Sequence, residues 1–249
     1  MIGIIIAAGS GKRISNDVKD LPKSLLMING KPIIDYQIQA LKQVGIKDIV
    51  VITGQHDSKF ELNNVQYVKD HHYEKHDTLG SLMEAKDFLK NDVLVLYSDI
   101  IFESKIIRQI MDSQGDISIA IDMNWEKKYE DRTEHPKYEA ENVQLNEIKK
   151  IIKIKKNIKD NNGKVGEFLG IMKFSSYGSD LFVKKYEELI ETHHGSFQQA
   201  SSISSAYLTD MIQELIDSKI DVNPVFISGK WCEIDTMQDL KNAEKIFPS

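Results

Sequence analysis

Glycines and cations cluster directly after the first apolar run of the chain. Gly9 and Gly11 are followed by Lys12 and Arg13, and Lys23 comes a short distance later. Glycine has no Cβ, so the backbone N–H groups of such a loop can approach an anion closely, and the basic side chains add positive charge. This combination predicts a loop that binds polyphosphate.

The spacing of these residues does not fit two common phosphate-binding motifs. The dinucleotide motif G-x-G-x-x-G needs glycine at position 14, where the chain has Ile14. The P-loop motif G-x-x-x-x-G-K-[ST] needs glycine at position 6 and Ser or Thr at position 13, where the chain has Ile6 and Arg13. What remains is A-A-G-x-G-x-R followed by P-K-x-L, and this two-part motif weighs against a glycine-rich turn with unrelated basic residues.

The two-part motif resembles the signature of the nucleotidyltransferases that join an NTP to a phosphorylated small molecule. The resemblance covers essentially the whole chain. It implies that Lys12 and Arg13 hold the β- and γ-phosphates and that Lys23 bridges the α-phosphate and the attacking oxygen, so that all three are catalytic. The nucleotide-binding residues that it implies are Ala7, Ala8, Gly9, Ser10, Gly11, Thr78, Gly80 and Ser81.

Two distant segments offer carboxylates for a metal ion. Asp99 follows an apolar strand-like run, at the edge where open α/β sheets bind ligands, and Glu233 and Asp235 alternate in a second strand and share one face. In the family that this sequence resembles, an aspartate at the first position holds Mg²⁺, usually after glycine, and here the small Ser98 precedes it. We expect Asp99 and Asp235 to bind Mg²⁺, with Glu233 as a third candidate. The alternative is that Asp235 only flanks a helix cap and Glu233 is solvated.

The sequence looks most like the cytidylyltransferases that activate phosphocholine or phosphonates, which favours CTP as the nucleotide. The expected reaction is attack of a phosphate or phosphonate oxygen of a small molecule on the α-phosphorus, with loss of pyrophosphate, for phosphonate or surface-polymer head groups. A cationic head group favours an aromatic face or a carboxylate as its partner. Candidate acceptor-binding residues are Trp125, Glu167, Gly170, Tyr207 and Asp210, although no choline-type aromatic cage can be matched residue by residue.

Other functions stay open. A sugar-1-phosphate uridylyl- or thymidylyltransferase is the nearest, and a non-catalytic nucleotide-binding module is another. A metal-dependent glycosyltransferase typically has Asp-x-Asp, whereas this chain has isoleucine two residues after Asp99. Lys156 lies either near the phosphates or on a solvated strand face. A zinc site at His71, His72 and His76 is disfavoured, because neither cysteine nor a carboxylate lies at a ligand spacing.

Composition narrows the class of protein. The chain has 249 residues, of which 41% are hydrophobic, and its net charge of −6 argues against a nucleic-acid binder. It shows neither a signal peptide nor a membrane span, so we expect a cytoplasmic protein with no membrane partner, and we leave a homodimer open. The single cysteine, Cys232, excludes an internal disulfide framework and reads as a buried thiol rather than a nucleophile.

The elements that must position these residues follow a β-α-β pattern from the N-terminus onward. Short apolar runs alternating with helical periodicity predict a three-layer α/β/α sandwich with a Rossmann-like, mostly parallel sheet. We expect one domain over residues 1–249, in which about 122–165 form a small inserted lid or hairpin that contributes to the acceptor site. Thr78 is the expected cap of a helix running to about Leu89, and residues 160–163 are an expected turn.

Overall fold

The computed structural model describes residues 1–9, 21–159 and 164–248. The strands are β1 (Ile2–Ala7), β2 (Met27–Ile28), β3 (Lys31–Pro32), β4 (Ile49–Thr53), β5 (Gln66–Lys69), β6 (Val93–Tyr97), β7 (Ile100–Phe102), β8 (Ile117–Asp122), β9 (Glu141–Leu145), β10 (Ile151–Lys156), β11 (Lys164–Phe174), β12 (Asn223–Phe226) and β13 (Trp231–Glu233). The α-helices are α1 (Ile33–Gln43), α2 (Thr78–Glu84), α3 (Ser104–Met111), α4 (Ser176–Thr192), α5 (Leu208–Asp217) and α6 (Met237–Ile246).

One nine-stranded sheet forms the centre of the molecule. Its main path is β10-β9-β11-β6-β1-β4-β5, while β8 pairs with β11 and β12 pairs with β8. The pairing directions give seven of the nine strands a common direction, and only β10 and β11 run the opposite way. The predicted α/β fold with a mostly parallel sheet is therefore confirmed.

The two faces of β1 belong to two different apolar cores. Ile4 and Ile6 pack with residues of α2, α4 and α5, whereas Ile5 and Ala7 pack with residues of α1 and α3. Successive side chains of a strand point to opposite faces, so a strand that is apolar throughout needs cover on both sides. Each fully buried isoleucine contributes about 2 kcal/mol relative to an exposed one. The helices thus form the two outer layers that the sequence predicts.

The start of α2 differs from the prediction. Asp77 is the N-cap and its carboxylate accepts a hydrogen bond from the Thr78 backbone N–H at 2.7 Å, so the assignment of Thr78 as the cap is wrong. The Thr78 hydroxyl instead accepts a hydrogen bond from the Leu208 backbone N–H at the start of α5. The α-helix ends at Glu84 and a 3₁₀ helix, Lys86–Lys90, continues the chain.

Residues 122–165 contain more regular structure than the sequence indicates. Two 3₁₀ turns, Trp125–Tyr129 and Lys137–Glu139, precede β9 and β10, which join the main sheet through β11. β9 was not predicted, because its sequence ENVQL has buried polar residues where an apolar alternation is expected. The predicted turn at 160–163 lies outside the described residues. In the part of the chain that the structure describes, no helix is long and apolar enough to cross a bilayer.

Candidate active site

A cleft of about 450 Å³ opens at the carboxyl ends of β1 and β6. Ala8 and Gly9 line it after β1, and Asp99 lines it after β6. Lys23 and Asp235 reach the same cleft from segments outside the main sheet. The cleft therefore lies at the edge where parallel sheets bind ligands, as the sequence predicts.

A small two-stranded sheet brings Asp99 and Asp235 together. β7 and β13 are antiparallel, with Glu233 opposite Ile100. The Ile234 backbone N–H then donates a hydrogen bond to the Asp99 carbonyl oxygen at 2.8 Å. Backbone pairing, rather than chain proximity, therefore sets these two carboxylates beside each other.

Lys23 bridges the two carboxylates. Its Nζ donates hydrogen bonds to Asp99 Oδ2 at 2.9 Å and to Asp235 Oδ1 at 2.6 Å. Burial alone would lower the pKa of Lys23, but the two carboxylates outweigh it and raise that pKa above its usual range. Burial would likewise raise the pKa of Asp235, yet the charge and hydrogen bond of Lys23, followed by His135 and Arg132, lower that pKa to about 2. Lys23 and Asp235 are therefore both charged at neutral pH.

An apolar cluster fixes the segments that carry these three charges. Leu26 follows the 3₁₀ turn Lys23–Leu25, Ile101 lies in β7, and Ile234 directly precedes Asp235. The three side chains pack in one buried cluster with residues of α1 and α6. Because packed side chains hold their backbone in place, this cluster pre-positions the ion pairs.

Two basic side chains in the segment before β9, Arg132 and His135, reach the site. Neither was among the predicted site residues. Arg132 Nε and Nη2 donate hydrogen bonds to Asp239 at 2.6 and 3.1 Å, and its Nη1 donates one to Glu233 at 3.2 Å. His135 Nδ1 lies 3.2 Å from Asp235 Oδ2. Burial and then the charge of Arg132 lower the pKa of His135. Neither residue belongs to a periodic element, so only the tertiary structure reveals these contacts.

The side of the cleft where we expect the nucleotide, its nucleotide side, is built from β1 and α2. Ala8, Gly9, Thr78 and Ser81 line it, as expected, whereas Ala7 is buried in the core beneath. Residues 10–13, with the predicted Ser10, Gly11, Lys12 and Arg13, lie outside the described residues.

Gly80 allows a histidine ring to lie against α2. A Cβ at Gly80 would come within 2.6 Å of the His76 ring. His76 Nδ1 is 3.0 Å from Asp70 Oδ1, and the Ser81 hydroxyl donates to Asp70 Oδ2 at 2.8 Å. His76 also lines the cleft, so the buried Asp70 orients a ring that faces the nucleotide side.

The same region corrects one sequence argument. His72 and His76 do have carboxylates nearby, because the fold places Asp70 and Glu84 beside them. The candidate ligand atoms of these four residues lie within 4.8 Å of one another. Asp70 directly follows β5, and Glu84 is the last residue of α2. The sequence spacing alone did not reveal that these carboxylates lie close to the histidines.

The opposite wall of the cleft carries charges of both signs. Glu139, Glu141, Lys156 and Tyr207 line it. Lys156 Nζ lies 3.2 Å from Glu139 Oε2 and 5.0 Å from the centroid of the Tyr207 ring. Burial raises the pKa of Glu141 to about 8, although the charge of Lys156 opposes the shift. Glu141 was not among the predicted site residues because it begins the unpredicted strand β9.

The family model described as the MobA-like NTP transferase domain matches residues 3–144. The chain belongs to this family. The match includes β1, α2 and Asp99, which form the nucleotide side and half of the carboxylate pair. The chain is thus a nucleotidyltransferase-family protein, and the resemblance inferred from the loop motif is confirmed.

Two curated relatives and one solved structure are similar to this NTP transferase. The CTP:phosphoglutamine cytidylyltransferase of Campylobacter jejuni is 29% identical over 97% of this chain and 98% of its own length. The choline-phosphate cytidylyltransferase of Streptococcus pneumoniae is 35% identical over 42% of this chain and 47% of its own length. A solved structure of the Streptococcus pneumoniae CTP:phosphocholine cytidylyltransferase superposes with a TM-score of 0.72 at 22% identity, covering 98% of both chains, which shows a shared fold.

The carboxylates of this NTP transferase fit a divalent cation. Asp99 and Asp235 already share one cation, the Lys23 ammonium, and oxygen ligands are those that Mg²⁺ prefers. Ligand atoms of His135, Glu233 and Asp235 also lie within 4.8 Å of one another. Burial and the charge of Asp235 raise the pKa of Glu233 well above its usual range, and Glu233 pairs with Arg132. Asp99 and Asp235 are therefore the better pair for Mg²⁺.

Of the five predicted acceptor residues, Tyr207 alone lines the main cleft in the described part of the chain. Glu167 and Gly170 line a cavity of about 20 Å³ next to it, where Gly170 has a φ of +66° and packs against the Tyr97 ring. Trp125 is buried and donates its Nε1–H to the Val165 carbonyl at 3.2 Å.

Asp210 has a structural role at the start of α5. Its carboxylate accepts hydrogen bonds from the backbone N–H groups of Tyr207 at 2.9 Å and Gln199 at 3.1 Å. We therefore leave Asp210 and Trp125 out of the acceptor site proposed below. Cys232 is partly buried, and burial raises the pKa of its thiol to about 12, so it is no nucleophile at neutral pH.

Proposed function

We propose that this NTP transferase is a CTP-dependent cytidylyltransferase. An oxygen of a phosphate or phosphonate group on a small molecule attacks the α-phosphorus of CTP, the bond to the β-phosphate breaks, and pyrophosphate leaves. The observation that carries the proposal is the bridge from Lys23 to Asp99 and Asp235 on the floor of the cleft. Lys23, Asp99 and Asp235 line the same cleft as Ala8, Gly9 and Thr78, where we place the nucleotide, and as Glu139, Glu141 and Lys156, where we place the acceptor.

Several residues of the chain together neutralise the negative charges of the nucleotide and the acceptor. The acceptor is already an anion, so the reaction needs no general base, and positioning and electrostatics supply the catalysis. Lys23 holds the α-phosphate and the attacking oxygen, and residues 9–13 hold the remaining phosphates. Asp99 and Asp235 would hold Mg²⁺, which would supply further positive charge for the polyphosphate. Arg132 and His135 contact Glu233 and Asp235 and keep these carboxylates oriented.

The nucleotide and the acceptor class rest on the relatives. Both curated relatives carry cytidylyltransferase in their names, and the match to one of them covers nearly the whole chain. Ala8, Gly9 and the oriented His76 leave space for a flat ring at the nucleotide wall. The named acceptors differ in chemistry, because glutamine carries both an ammonium and a carboxylate whereas choline carries only a quaternary ammonium. The product would be an activated head group of the kind that phosphonate or surface-polymer synthesis consumes.

A matrix of substrates tests the proposal. Each of the four NTPs is combined with phosphocholine, 2-aminoethylphosphonate, phosphoglutamine and several sugar 1-phosphates, with Mg²⁺ or with EDTA, and pyrophosphate release is measured. We expect release with CTP and an amine-bearing acceptor, and none with EDTA. Preference for UTP or dTTP with a sugar 1-phosphate would overturn the choice of CTP. Release with no pair at all would favour a nucleotide-binding module.

A further inference from the structure

Around the proposed acceptor site, lysine and arginine side chains of the protein already lie over the aromatic rings. A quaternary ammonium is recognised through the open faces of aromatic rings within about 6 Å. Here the cationic groups lie 5.0–5.3 Å from the ring centroids. The pairs are Lys128 over Trp231, Arg132 over Tyr129, Lys137 over Trp125 and Lys156 over Tyr207.

The remaining rings do not form an aromatic cage either. Trp125, Tyr129 and Trp231 are buried, so their second faces pack inside the protein. Tyr97 packs against Gly170 and stands edge-on to Phe168. Within the described residues, Tyr207 is therefore the one tyrosine on the wall formed with Glu139, Glu141 and Lys156, and Lys156 covers its ring, while Tyr73 lines the cleft from the segment that carries His76.

The polar groups on this wall suit a different head group. Lys156 is a half-buried cation that pairs with Glu139, and it lies opposite Glu141 in the β9–β10 register. Lys156 and Glu139 pair with each other at 3.2 Å, and a ligand with both charges can replace that pair without leaving either residue unpaired. A ligand with only a positive charge would pair with the glutamates but would also face the Lys156 ammonium.

Resting on the proposed function, we propose that the acceptor carries a primary ammonium and a carboxylate in addition to its phosphate or phosphonate, as a phosphorylated amino acid or amino-acid analogue does. Lys156 pairs with the carboxylate, and Glu139 and Glu141 accept hydrogen bonds from the ammonium. A primary ammonium has three donors for such bonds, whereas a trimethylammonium has none. The wall therefore selects for both the carboxylate and the unmethylated amine.

The rival role for Lys156 is contact with the phosphate of the acceptor. A phosphate contact affects every acceptor equally, because all of them share that group. A carboxylate contact affects only acceptors that have the carboxylate. The two roles are separated by acceptors that differ in this one group.

Matched pairs of acceptors provide the test. The pairs are O-phosphoserine with phosphoethanolamine, O-phosphohomoserine with 3-aminopropyl phosphate, and 2-amino-3-phosphonopropionate with 2-aminoethylphosphonate, and phosphocholine tests methylation. We measure kcat/KM with CTP, and the acceptor Kd by calorimetry. We expect the carboxylate to improve at least one pair about 10-fold or more, the range of a hydrogen bond to a charged group. Phosphocholine should be a poorer acceptor than phosphoethanolamine.

In Lys156→Met, the ratio of kcat/KM between the two acceptors of a pair should fall to about one. The kcat/KM of the carboxylate-free acceptor should stay within about threefold of its value in the wild type. Lys153→Met, an exposed lysine on the same strand, is the control and should change neither value. Thermal melts verify that both variants fold. If Lys156→Met lowered kcat/KM equally for all acceptors, or if the wild type preferred phosphocholine, this inference would be overturned. Turnover of CTP in the same experiments would leave the proposed function standing. If no acceptor reacts, the proposed function fails, and equal Kd values within every pair would then refute this inference separately.

Discussion

Replacing Lys23 by methionine removes the cation that Asp99 and Asp235 share. Methionine keeps much of the side-chain length but carries no charge, so both carboxylates lose their common hydrogen-bond donor. Asp235 is 10% exposed and cannot regain full hydration. We therefore expect Lys23→Met to lower the free energy of unfolding at neutral pH.

The size of the loss follows from the pKa of Asp235. That pKa is about 2 in the folded protein, against an ordinary value of 3.8. One pKa unit corresponds to about 1.4 kcal/mol, so the depressed pKa represents about 2 kcal/mol of stability at neutral pH. This stability is fully present above the unfolded pKa and is lost as pH falls through about 2. Because Lys23 is the largest of the lowering causes, the variant should lose roughly 2–4 kcal/mol near pH 7.

Urea denaturation at several pH values measures this effect. The difference between wild type and variant should shrink as pH falls from about 5 to about 2. Added Mg²⁺ should stabilise the variant more than the wild type, because Lys23 no longer competes for the carboxylates. Lys90→Met removes an exposed ion pair with Asp87, which water and salt screen, and should leave the stability nearly unchanged. Equal stability of Lys23→Met and wild type near pH 7, or a difference independent of pH, would refute the reasoning.

The remaining predictions concern two other buried charges. Burial raises the pKa of Glu141 to about 8, so the free energy of unfolding of the wild type falls as pH rises from about 4.5 to about 8. In urea denaturation, the stability of Glu141→Gln relative to the wild type should therefore rise by about 2–3 kcal/mol between about pH 5 and about pH 7. A stability difference that does not change with pH would contradict this prediction. Arg132→Met leaves Asp239 and Glu233 without their buried partner and should lower the free energy of unfolding by about 3–5 kcal/mol in the same assay. The control Lys137→Met, at an exposed lysine, should lower it far less. Equal losses in the two variants would argue against a buried network of charges.

The fold was predictable because its strands are short and apolar. β1 and β6 are buried on both faces, and such runs are typical of parallel strands. The positions of Lys23, Asp99 and Asp235 could also be anticipated, because they lie in local motifs or at strand ends. The sequence indicates such positions without any knowledge of long-range contacts.

The rest of the site depends on contacts that no local pattern encodes. Arg132 lies in a segment without periodicity and finds Glu233 and Asp239 only through tertiary packing. Glu141 begins a strand whose polar residues conceal its burial. Asp77 and Thr78 are both good caps, and the contact of Thr78 with α5 decides between them. Long-range competition of this kind explains each of the differences.

The pairing of β7 with β13 also orders events during synthesis. β7 leaves the ribosome long before β13, by roughly ten seconds at ordinary elongation rates. During that interval Lys23 and Asp99 exist, but Asp235 has not yet been made. A nascent or prematurely released chain that ends before residue 231 holds only half of the carboxylate pair. β13 is therefore the element that completes the Asp99–Asp235 pair, and the arrangement that we propose for Mg²⁺ cannot form until residues 231–235 have been made.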